Sequence, residues 1–454
     1  MSRPAHTGSR NNNVWSCLTG KRQESERCPA CKTIMSRQLQ ARRTVSVCKN
    51  VWVEFTQLAA DCKAVNLGQG FPDFSPPKFV QDAFCKAVSG GHQMHQYTRA
   101  FGHPPLVNIL AKFFGRIVGH ETDPLEDVLV TVGAYQALFY TFQALIDEGD
   151  EVIIVEPFFD CYQPMVKMAG GTPVYIPLRP KAEGRAVLSS ADWVLSAEEL
   201  ASKFTPRTKA IVINTPNNPL GKVYKAEELQ MIADLCIKHD VLCISDEVYE
   251  WLTYDGNQHV KMAGLPGMWE RTITIGSAGK TFSATGWKVG WVIGSGNIIQ
   301  YLKGVHQNCV HHCPTAAQEA VARGFEREYE LFGSPESYFQ QLPAMLHHKR
   351  EKLASCLESV GLKPVMPEGG YFMITDISSV KVDLDDQSTA DEPADFRFVK
   401  WLTKEKGLAT IPVSAFYSPE HSKDFDKYIR FCFIKEDSTL NAAEDILRKW
   451  RQTE

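Results

Sequence analysis

Two lysines lie eight residues apart in SAGKTFSATGWKVGW, a segment of residues 277–291 that contains three glycines and no acidic residue. The segment follows RTITIG, a run rich in β-branched residues that predicts a buried strand. Lys280 therefore stands just beyond the end of a strand, and Lys288 supplies a second cation one loop later. Because lysine has a pKa of about 10.4, Lys280 can act as a nucleophile only where burial or a nearby positive charge lowers that pKa.

Polar residues also follow the other strand-like runs of the sequence. Asn218 comes after KAIVINTP, and Asp246 comes after VLCIS, with Tyr249 three residues further on. The run DVLVTV is followed by Gly-Ala-Tyr at residues 133–135, where a helix is predicted to begin. Ligands of open parallel sheets bind outside the carboxyl ends of the strands, so we expect these residues to converge at one edge of the sheet.

This set suits a ligand that has an aldehyde, a phosphate, a ring cation and a phenolate oxygen. Lys280 is the amine for the aldehyde, and the predicted helix start, Ser277 and Lys288 would attract the phosphate. Asp246 is an anion for a protonated ring nitrogen, and hydrogen-bond donors nearby would hold the phenolate. Together these four requirements describe pyridoxal 5′-phosphate.

Each of these residues also has a purely structural interpretation. Lys280 could be a surface lysine, and Asp246 could cap the helix that follows it. Arg430 lies between apolar residues in YIRFCF, where a structural ion pair would also satisfy its charge. Trp52 and Phe159 could be core aromatics. The common position of the polar set favours the cofactor interpretation.

The elements that must position these residues alternate between strand and helix. DVLVTVG precedes YQALFYTFQALIDEG, DEVIIVEP precedes FDCYQPMVKMAGG, and KAIVINTP precedes AEELQMIADLCIKHD. This alternation predicts an α/β fold in which a mainly parallel sheet lies between helices. After about residue 335 the pattern changes to a helix over 342–360, a helix near 396–406 and the strand YIRFCFI, which predicts a smaller α+β domain.

We therefore predict three parts in the chain of 454 residues, which is too long for one simple core. Residues 1–49 form a flexible N-terminal extension and arm. Residues 80–334 form the large cofactor-binding domain, and residues 50–79 combine with 335–454 in the small domain.

Composition and charge exclude several classes of protein. A net charge of −4 favours neither nucleic acid nor an anionic membrane, and no apolar run approaches the roughly 20 residues that cross a bilayer. Thirteen cysteines without a pattern indicate a reducing compartment, so we predict a cytoplasmic protein. The first acidic residue is Glu24, which leaves a mitochondrial presequence as the alternative.

No metal site is predicted from the sequence. The CPAC of residues 28–31 is an isolated CxxC, which leaves open that residues 1–34 bind zinc or a partner independently. His311 and His312 lie between two cysteines, but adjacent residues of a helix point about 100° apart and would not share one ion easily. LGQGFP lacks the third glycine of a dinucleotide-binding motif.

In chain order, INTPNNPLG, ISDEVYEW and SAGKTFSATGWKVGW resemble the signature of the fold-type I, class I aminotransferases. The 34 residues from Asp246 to Lys280 match the spacing of that family. VNLGQGFPDFSPP, HQYTRAFGHPPL, EPFFDCYQPM and YIRFCFIK are similar to segments of the kynurenine aminotransferases, and among these to the cytosolic type 1. The resemblance runs from about Gln38 to Trp450.

The resemblance implies that pyridoxal 5′-phosphate is the cofactor and assigns a role to each residue. Lys280 would bind the cofactor aldehyde and then move the proton of the substrate Cα. Asp246 would keep the ring nitrogen protonated, while Tyr249 and Asn218 would hold the ring oxygen. Lys288 stands where many relatives have arginine, so it keeps the charge but not the planar fork. The remaining cofactor contacts would come from Ala134, Tyr135, Phe159, Ser277 and Tyr97.

The resemblance also implies a substrate site. Arg430 would bind the substrate α-carboxylate through two hydrogen bonds, with Asn218 and the Gly70 backbone beside it. Tyr97 would reach the site from a second subunit, which implies a homodimer with shared active sites. His311 departs from the family pattern, in which an aromatic residue is expected beside His312. The aromatic side-chain pocket would be lined by Trp52, Tyr97, Tyr135, His312 and Phe372.

The activity implied is reversible amino transfer to a 2-oxo acid from L-kynurenine, glutamine, and aromatic and sulfur amino acids. Kynurenine would yield kynurenic acid, and cysteine S-conjugates would undergo a secondary β-lyase reaction. Three alternatives stay open at this point. They are an aminotransferase of other neutral amino acids, a pyridoxal-phosphate lyase without transaminase activity, and a non-catalytic protein that retains the fold.

Overall fold

The computed structural model describes residues 40–44, 51–181, 188–382, 384 and 391–451. The chain divides into two units, residues 1–42 and residues 43–454. All helices and strands from Val51 onward belong to the second unit. The predicted extension of residues 1–49 and the CPAC motif lie largely or wholly outside the described residues.

The α-helices and strands follow one another through the second unit in the order expected of an α/β chain. The α-helices of the described ranges are α1 (Val51–Asp61), α2 (Lys78–Val88), α3 (Pro104–Val118), α4 (Gly133–Leu145), α5 (Tyr162–Met168), α6 (Ala197–Ser202), α7 (Ala226–His239), α8 (Ala278–Thr281), α9 (Gly296–Cys309), α10 (Thr315–Glu330), α11 (Tyr338–Ser359), α12 (Ala394–Trp401) and α13 (Asp437–Arg451). The strands are β1 (Val65–Asn66), β2 (Val128–Thr131), β3 (Glu151–Glu156), β4 (Thr172–Pro177), β5 (Arg179–Pro180), β6 (Trp193–Val194), β7 (Thr208–Asn214), β8 (Leu242–Asp246), β9 (Thr272–Ser277), β10 (Gly290–Ile293), β11 (Lys363–Val365), β12 (Phe372–Asp376), β13 (Leu408–Ala409), β14 (Ile411–Pro412) and β15 (Tyr428–Cys432).

A seven-stranded sheet forms the centre of this unit, with the strand order β2-β10-β9-β8-β7-β3-β4. Its strands pair in parallel except β10, which is antiparallel to both β9 and β2. Strands β2, β3 and β9 are buried along their whole length, as the continuous apolar runs of the sequence predict for a sheet covered on both faces. The predicted mainly parallel α/β fold is confirmed.

Helices cover both faces of this sheet. Ile153 and Ile154 are neighbours in β3, yet they belong to different buried clusters because successive side chains of a strand point to opposite faces. Ile154 packs in a cluster that includes Leu138 of α4, whereas Ile153 packs in a cluster that includes Ile232 of α7. None of the helices in the described part of the chain has both the length and the apolar character needed to cross a membrane.

A second, four-stranded sheet with the order β11-β12-β15-β14 is antiparallel throughout. Helices α11 and α13 contribute Leu346, Leu353 and Leu447 to the hydrophobic cluster that also contains Phe431 of β15. These elements fit the predicted α+β part of the chain. The division into a large domain of 80–334 and a small domain of 50–79 plus 335–454 stays a prediction.

Three local predictions differ from the structure. The predicted helix near 396–406 begins at Ala394 as α12 and changes at Leu402 into a π-helical turn that ends before Gly407. The predicted strand YIRFCFI ends early, at Cys432. Helix α9 ends at Cys309, and His311 has a φ of 66°, so His311 and His312 do not lie on a helix as the metal argument assumed.

Candidate active site

A cavity of about 470 Å³ lies where β7, β8 and β9 end. The last residue of each of these strands, Asn214, Asp246 and Ser277, lines it. Arg430 of β15 and Phe372 of β12 line it from the second sheet. The convergence that strand order predicted is therefore present, because parallel strands deliver their carboxyl ends to one edge.

All but two of the predicted site residues line this cavity. They are Trp52, Gly70, Ala134, Tyr135, Phe159, Asn218, Asp246, Tyr249, Ser277, Lys280, Lys288, Phe372 and Arg430. The structure thus brings together residues that are up to several hundred positions apart in the chain. Their individual roles stay predictions.

Tyr97 and His312 are not among the residues that line the cavity of this chain. Tyr97 is 83% exposed, and its ring stacks on that of His312 with the centroids 4.4 Å apart. The ring of His311 lies 6.2 Å from Tyr97 and 4.1 Å from His312. The three rings form one cluster, and the role of Tyr97 in the site of a second subunit stays a prediction.

Lys280 lies in the short helix α8, directly after β9. Its Nζ donates to Tyr371 Oη over 2.6 Å and to the Gly70 carbonyl oxygen over 3.2 Å. Burial lowers the pKa of Lys280 to about 8, and the positive charges of Arg430 and Lys288 act in the same direction. About a tenth of such an amine is unprotonated at pH 7, whereas an ordinary lysine is almost fully protonated.

Asp246 ends β8 and is nearly completely buried. Its Oδ2 accepts a 2.5 Å hydrogen bond from the hydroxyl of Tyr162, the first residue of α5. Burial raises the pKa of Asp246 to about 6, and the hydrogen bond from Tyr162 opposes that rise. Tyr162 therefore favours the ionised carboxylate in a place where burial disfavours it.

Arg430 is fully buried and forms no ion pair with any described residue, which argues against the structural alternative for its charge. Its Nη1 donates to Asn218 Oδ1 over 2.8 Å, and its Nη2 donates to the Gly68 carbonyl oxygen over 2.7 Å. Its Nε has no hydrogen-bond partner within the described ranges. A carboxylate ligand would supply the missing acceptor, because an orphaned buried donor is costly. Burial lowers the pKa of Arg430 to about 10, which leaves it charged at neutral pH.

The hydrogen bond with Arg430 also orients the side chain of Asn218. Because its Oδ1 accepts from Arg430, its amide Nδ2 lies on the side away from the guanidinium. The two N–H groups of Nδ2 can therefore donate to an anionic oxygen. The Asn218 backbone N–H donates to Asn214 Oδ1 over 2.7 Å, and Asn214 Nδ2 donates to the Asp246 carbonyl oxygen. Asn214 thus ties the loop after β7 to the end of β8.

The first turn of α4 and Lys288 form the cationic end of the cavity. Lys288 has a φ of 53°, and a Cβ added to Gly133 would lie 3.2 Å from its Nζ. A Cβ added to Gly290 would come within 2.5 Å of the Gly133 carbonyl carbon. These two glycines let the lysine and β10 approach the N-terminus of α4, where unpaired N–H groups favour an anion.

Aromatic side chains enclose the rest of the cavity. Trp52 of α1 donates from Nε1 to Asp160 Oδ2 over 2.7 Å, which fixes the indole across from the large sheet. The guanidinium of Arg430 lies 3.9 Å from the ring centroid of Phe372 and 5.0 Å from that of Trp52. Tyr135 lies edge-on to Phe159 at 6.0 Å. The rings of Trp52 and Phe372 thus lie against the guanidinium of Arg430 but do not neutralise its charge.

A charged cluster of Glu247, Glu250, His259 and Lys261 lies directly after Asp246 in the chain. Within the described residues, the two carboxylates and His259 are close enough to hold a metal ion. However, the ammonium of Lys261 already pairs with both carboxylates. Burial opposes ionisation of Glu247, but Lys261 and His259 outweigh it and hold its pKa well below the usual range. The ammonium of Lys261 therefore occupies the position between the carboxylates that a metal ion would need.

The sequence did not single out Tyr162, Tyr371 or Asn214. Tyr162 belongs to EPFFDCYQPM, which was quoted only for its resemblance to the kynurenine aminotransferases, and Tyr371 belongs to GGYFMI. Only the packing of distant elements shows that the two hydroxyls contact Asp246 and Lys280. For Asn214, its position at the end of a predicted strand was a usable signal.

Comparison with known proteins identifies a family, two similar relatives and a similar solved structure. The model of the family aminotransferase class I and II matches residues 63–446. The chain is 60% identical over 419 residues to human kynurenine–oxoglutarate transaminase 1, covering 92% of this chain and 99% of that protein. It is 57% identical over 410 residues to human kynurenine–oxoglutarate transaminase 3, covering 90% of each. The solved structure of Bna3p from Saccharomyces cerevisiae matches with a TM-score of 0.85 and 34% identity, over 92% of this chain and 100% of that one.

Proposed function

The chain belongs to the class I and II aminotransferases, and on that premise we propose that it transfers the amino group of L-kynurenine to a 2-oxo acid. Enzymes of this family depend on pyridoxal 5′-phosphate and have the fold-type I architecture. The observation that carries the proposal is the arrangement of Lys280, Asp246 and Arg430 around one cavity. The kynurenine specificity is supported by the relatives, which bear that activity in their names.

The residues of the cavity fit the cofactor of the family. Lys280 has the lowered pKa that a nucleophilic amine needs, and Asp246 is a buried anion for a ring nitrogen. The free amide nitrogen of Asn218 and the hydroxyl of Tyr249 are donors for a phenolate oxygen. The cradle formed by Gly133, Lys288 and the start of α4 suits a phosphate. When bound, pyridoxal 5′-phosphate supplies an aldehyde that takes the amino group and a ring that withdraws electrons from the substrate Cα.

In the proposed reaction Arg430 orients the substrate. Its Nε–H and a second N–H would donate to the α-carboxylate, while Asn218 and Gly68 hold the guanidinium in a fixed plane. Fixing the carboxylate fixes the direction of the Cα–H bond relative to Lys280. The aromatic side chains of Trp52 and Phe372 exclude water from this contact.

Lys280 would move the proton of the substrate. Its neutral amine would accept the proton from Cα, and the resulting ammonium would deliver it two bonds away, on the other side of the amino nitrogen. Water would then release the substrate as a 2-oxo acid, and the amino group would stay with the bound cofactor. A second amino acid is made when a different 2-oxo acid enters and the same proton transfers run in reverse. We expect 2-oxoglutarate and phenylpyruvate among the acceptors.

The aromatic residues that line the cavity indicate which amino acids can act as amino-group donors. Trp52, Tyr135 and Phe372 offer flat apolar surfaces that suit kynurenine, phenylalanine, tryptophan, methionine and the stem of glutamine. The β-carboxylate of aspartate would find no second arginine among the residues that line the described cavity. We therefore propose neutral and aromatic amino acids as donors.

A β-lyase reaction is a second proposed activity. Where the substrate has a thiolate leaving group on Cβ, removal of the Cα proton by Lys280 lets that group depart with the electron pair of the Cβ–S bond. Addition of water then gives pyruvate, ammonia and the thiol. This reaction uses the same proton transfer and no further residue, and detection of pyruvate from a cysteine S-conjugate would test it.

The experiment for the proposed function uses the purified, cofactor-loaded protein with L-kynurenine and a panel of 2-oxo acids. Kynurenic acid is measured, because the oxo acid formed from kynurenine closes its ring spontaneously. Glutamine, methionine, phenylalanine and aspartate serve as competing donors. If amino transfer occurs with glutamine or methionine but no kynurenic acid appears, the kynurenine specificity is wrong, and His311 is the first residue to replace.

Replacing Tyr162 with phenylalanine is expected to move the acid limb of the pH profile of kcat/KM upward by about 1 pH unit. Asp246 acts as an anion, and loss of a hydrogen bond to a charged group costs about 1.5 kcal/mol, which raises its pKa above about 6. As the pH is lowered, the variant therefore loses activity at a higher pH than the wild type does. Tyr417→Phe is the matched control, since its buried hydroxyl has no partner among the described residues. Identical acid limbs in both variants would contradict the role of Tyr162.

We also propose a cytoplasmic homodimer. The support for the dimer is the exposed ring of Tyr97, together with its predicted role in the site of a second subunit. Mixed dimers of Tyr97→Ala and Lys280→Ala should be more active than either variant alone if one subunit supplies Tyr97 to the site of the other, because one site of the mixed dimer then has both residues. No recovery in a verified mixed dimer would contradict shared active sites.

A further inference from the structure

Tyr371 lies at the centre of the contacts around Lys280, although no prediction included it. It directly precedes Phe372 and β12, and it is 1% exposed. Its hydroxyl accepts from Lys280 Nζ over 2.6 Å and donates to the Gly70 carbonyl oxygen over 2.9 Å. Its ring lies edge-on to Tyr249, with the centroids 5.1 Å apart.

We propose that Tyr371 is a positioning residue that holds the free amine of Lys280 in the orientation in which it captures the cofactor and takes the substrate proton. The inference rests on the role proposed for Lys280. It adds Tyr371, which is not among the residues that line the described cavity and which would act through the lysine.

The hydrogen-bond directions support this role. A carbonyl oxygen can only accept, and the Tyr371 hydroxyl donates its proton to that of Gly70. The neighbouring Tyr249 hydroxyl is a further hydrogen-bond partner of Tyr371 and is another possible acceptor for this proton. With its proton donated to an oxygen acceptor, the Tyr371 hydroxyl oxygen accepts from Lys280 Nζ over 2.6 Å. The Gly70 carbonyl is a second acceptor for the same nitrogen, at 3.2 Å. Two of the N–H bonds of Lys280 thus have fixed directions.

Tetrahedral geometry completes the argument. The nitrogen of a neutral lysine has four positions, of which one is the bond to Cε. Two more are the N–H bonds held by Tyr371 and Gly70. The fourth is the lone pair, which is the position that attacks an aldehyde or accepts a proton. Holding two N–H bonds therefore orients the lone pair.

Tyr371 itself stays neutral in this arrangement. Burial raises the pKa of its hydroxyl well above the ordinary value for tyrosine. A neutral acceptor stabilises an ammonium less than a carboxylate would, so it orients Lys280 without returning its pKa to the usual range. The proton transfer is thus left to the lysine.

The competing interpretation is that Tyr371 only packs in the core. Tyr371→Phe keeps the ring and removes the hydroxyl, so it separates the two roles. A matched control exists in Tyr254, which is also buried and donates from its hydroxyl over 2.5 Å to the carbonyl oxygen of Gly370, the residue before Tyr371. Tyr254→Phe removes an equivalent buried hydrogen bond from the same segment without touching Lys280.

The test compares the wild type, Tyr371→Phe and Tyr254→Phe as full chains. The first measurement needs no turnover: pyridoxal 5′-phosphate is added to cofactor-free protein, samples are reduced with borohydride at intervals, and covalent attachment is followed by mass. We expect attachment to be about tenfold slower in Tyr371→Phe, which corresponds to the loss of one orienting hydrogen bond, and unchanged in Tyr254→Phe.

The second measurement is the isotope effect of an α-deuterated amino acid in a single half-reaction of the loaded protein. It should rise in Tyr371→Phe alone, because proton transfer becomes slower relative to the other steps. An isotope effect is a ratio within one preparation, so partial unfolding of the variant does not produce it. Equal attachment rates and equal isotope effects in the two variants would overturn the inference.

The proposed function fails differently. If the wild type attaches the cofactor at Lys280 but converts no amino acid, the proposed function is wrong while the attachment rates still decide the role of Tyr371. If attachment occurs at another lysine, the role of Lys280 is wrong and the inference is overturned with it.

Discussion

Replacing Lys280 with alanine is expected to reduce amino transfer by roughly 10⁴-fold, the upper end of what a positioned acid–base group contributes. The expected effect is large because, in the proposed reaction, the same amine captures the cofactor and moves the substrate proton. No other described lysine lines the cavity except Lys288, whose Nζ is placed at the start of α4 beside Gly133. The measurement is the rate of a single half-reaction with a saturating amino acid, after loading with cofactor.

The control for this prediction is Lys280→Arg, which keeps a cation in the cavity but has no accessible neutral form. Both variants should be inactive, and both should melt close to the wild type, since the side chain lies at the wall of a cavity and not within a packed core. Added methylamine should restore part of the activity of the alanine variant by supplying a free amine. Activity of Lys280→Ala within tenfold of the wild type would show that another group moves the proton.

Replacing Asp246 with asparagine is expected to lower kcat/KM by about 10²–10⁴-fold. Asparagine has almost the same shape but no charge, and breaking a buried charge pair costs about 3–5 kcal/mol. The cofactor should also bind more weakly, because in the proposed site its ring nitrogen would lose the anion that keeps it protonated. Kinetics and cofactor titration of the same preparation measure both effects.

Glu328→Gln is the matched control for Asp246→Asn. Glu328 is also a fully buried carboxylate, and it accepts from Ser337 and the Tyr338 backbone at a position that does not line the cavity. Its replacement should lower the melting temperature and leave kcat/KM unchanged. If Asp246→Asn behaves in the same way, Asp246 contributes to stability and not to the chemistry.

The large sheet and most of the cavity were predictable because they depend on local patterns. A run such as EVIIVE predicts a strand that is buried on both faces. The carboxyl ends of parallel strands all lie at the same edge of the sheet, so residues that follow these strands must meet there. The positions of Asp246, Ser277 and Asn218 follow from that rule. Pyridoxal 5′-phosphate as the cofactor followed from the chemistry of the set and is confirmed by the family.

The contacts between distant elements were not predictable. Tyr162 reaches Asp246 across 84 positions of the chain, and Tyr371 reaches Lys280 across 91. No periodicity encodes such contacts, because they depend on how α5 and β12 pack against the large sheet. The change from α12 to a π-helical turn at Leu402 was missed for a similar reason, since the sequence there continues a helical pattern.

Lys280 and Lys288 lie in a segment whose two ends are joined by hydrogen bonds. Gly290 pairs with Ser277 across β9 and β10, and the Ala278 N–H donates to the Val289 carbonyl oxygen. Between these points the backbone folds back on itself, since a Cβ on Gly279 would lie 2.9 Å from the Thr285 Cα. The number of residues in this closed loop therefore sets the distance from Lys280 to Lys288. A substitution of an exposed side chain in this segment leaves that distance unchanged, but an insertion or deletion would separate the amine of Lys280 from the proposed phosphate site.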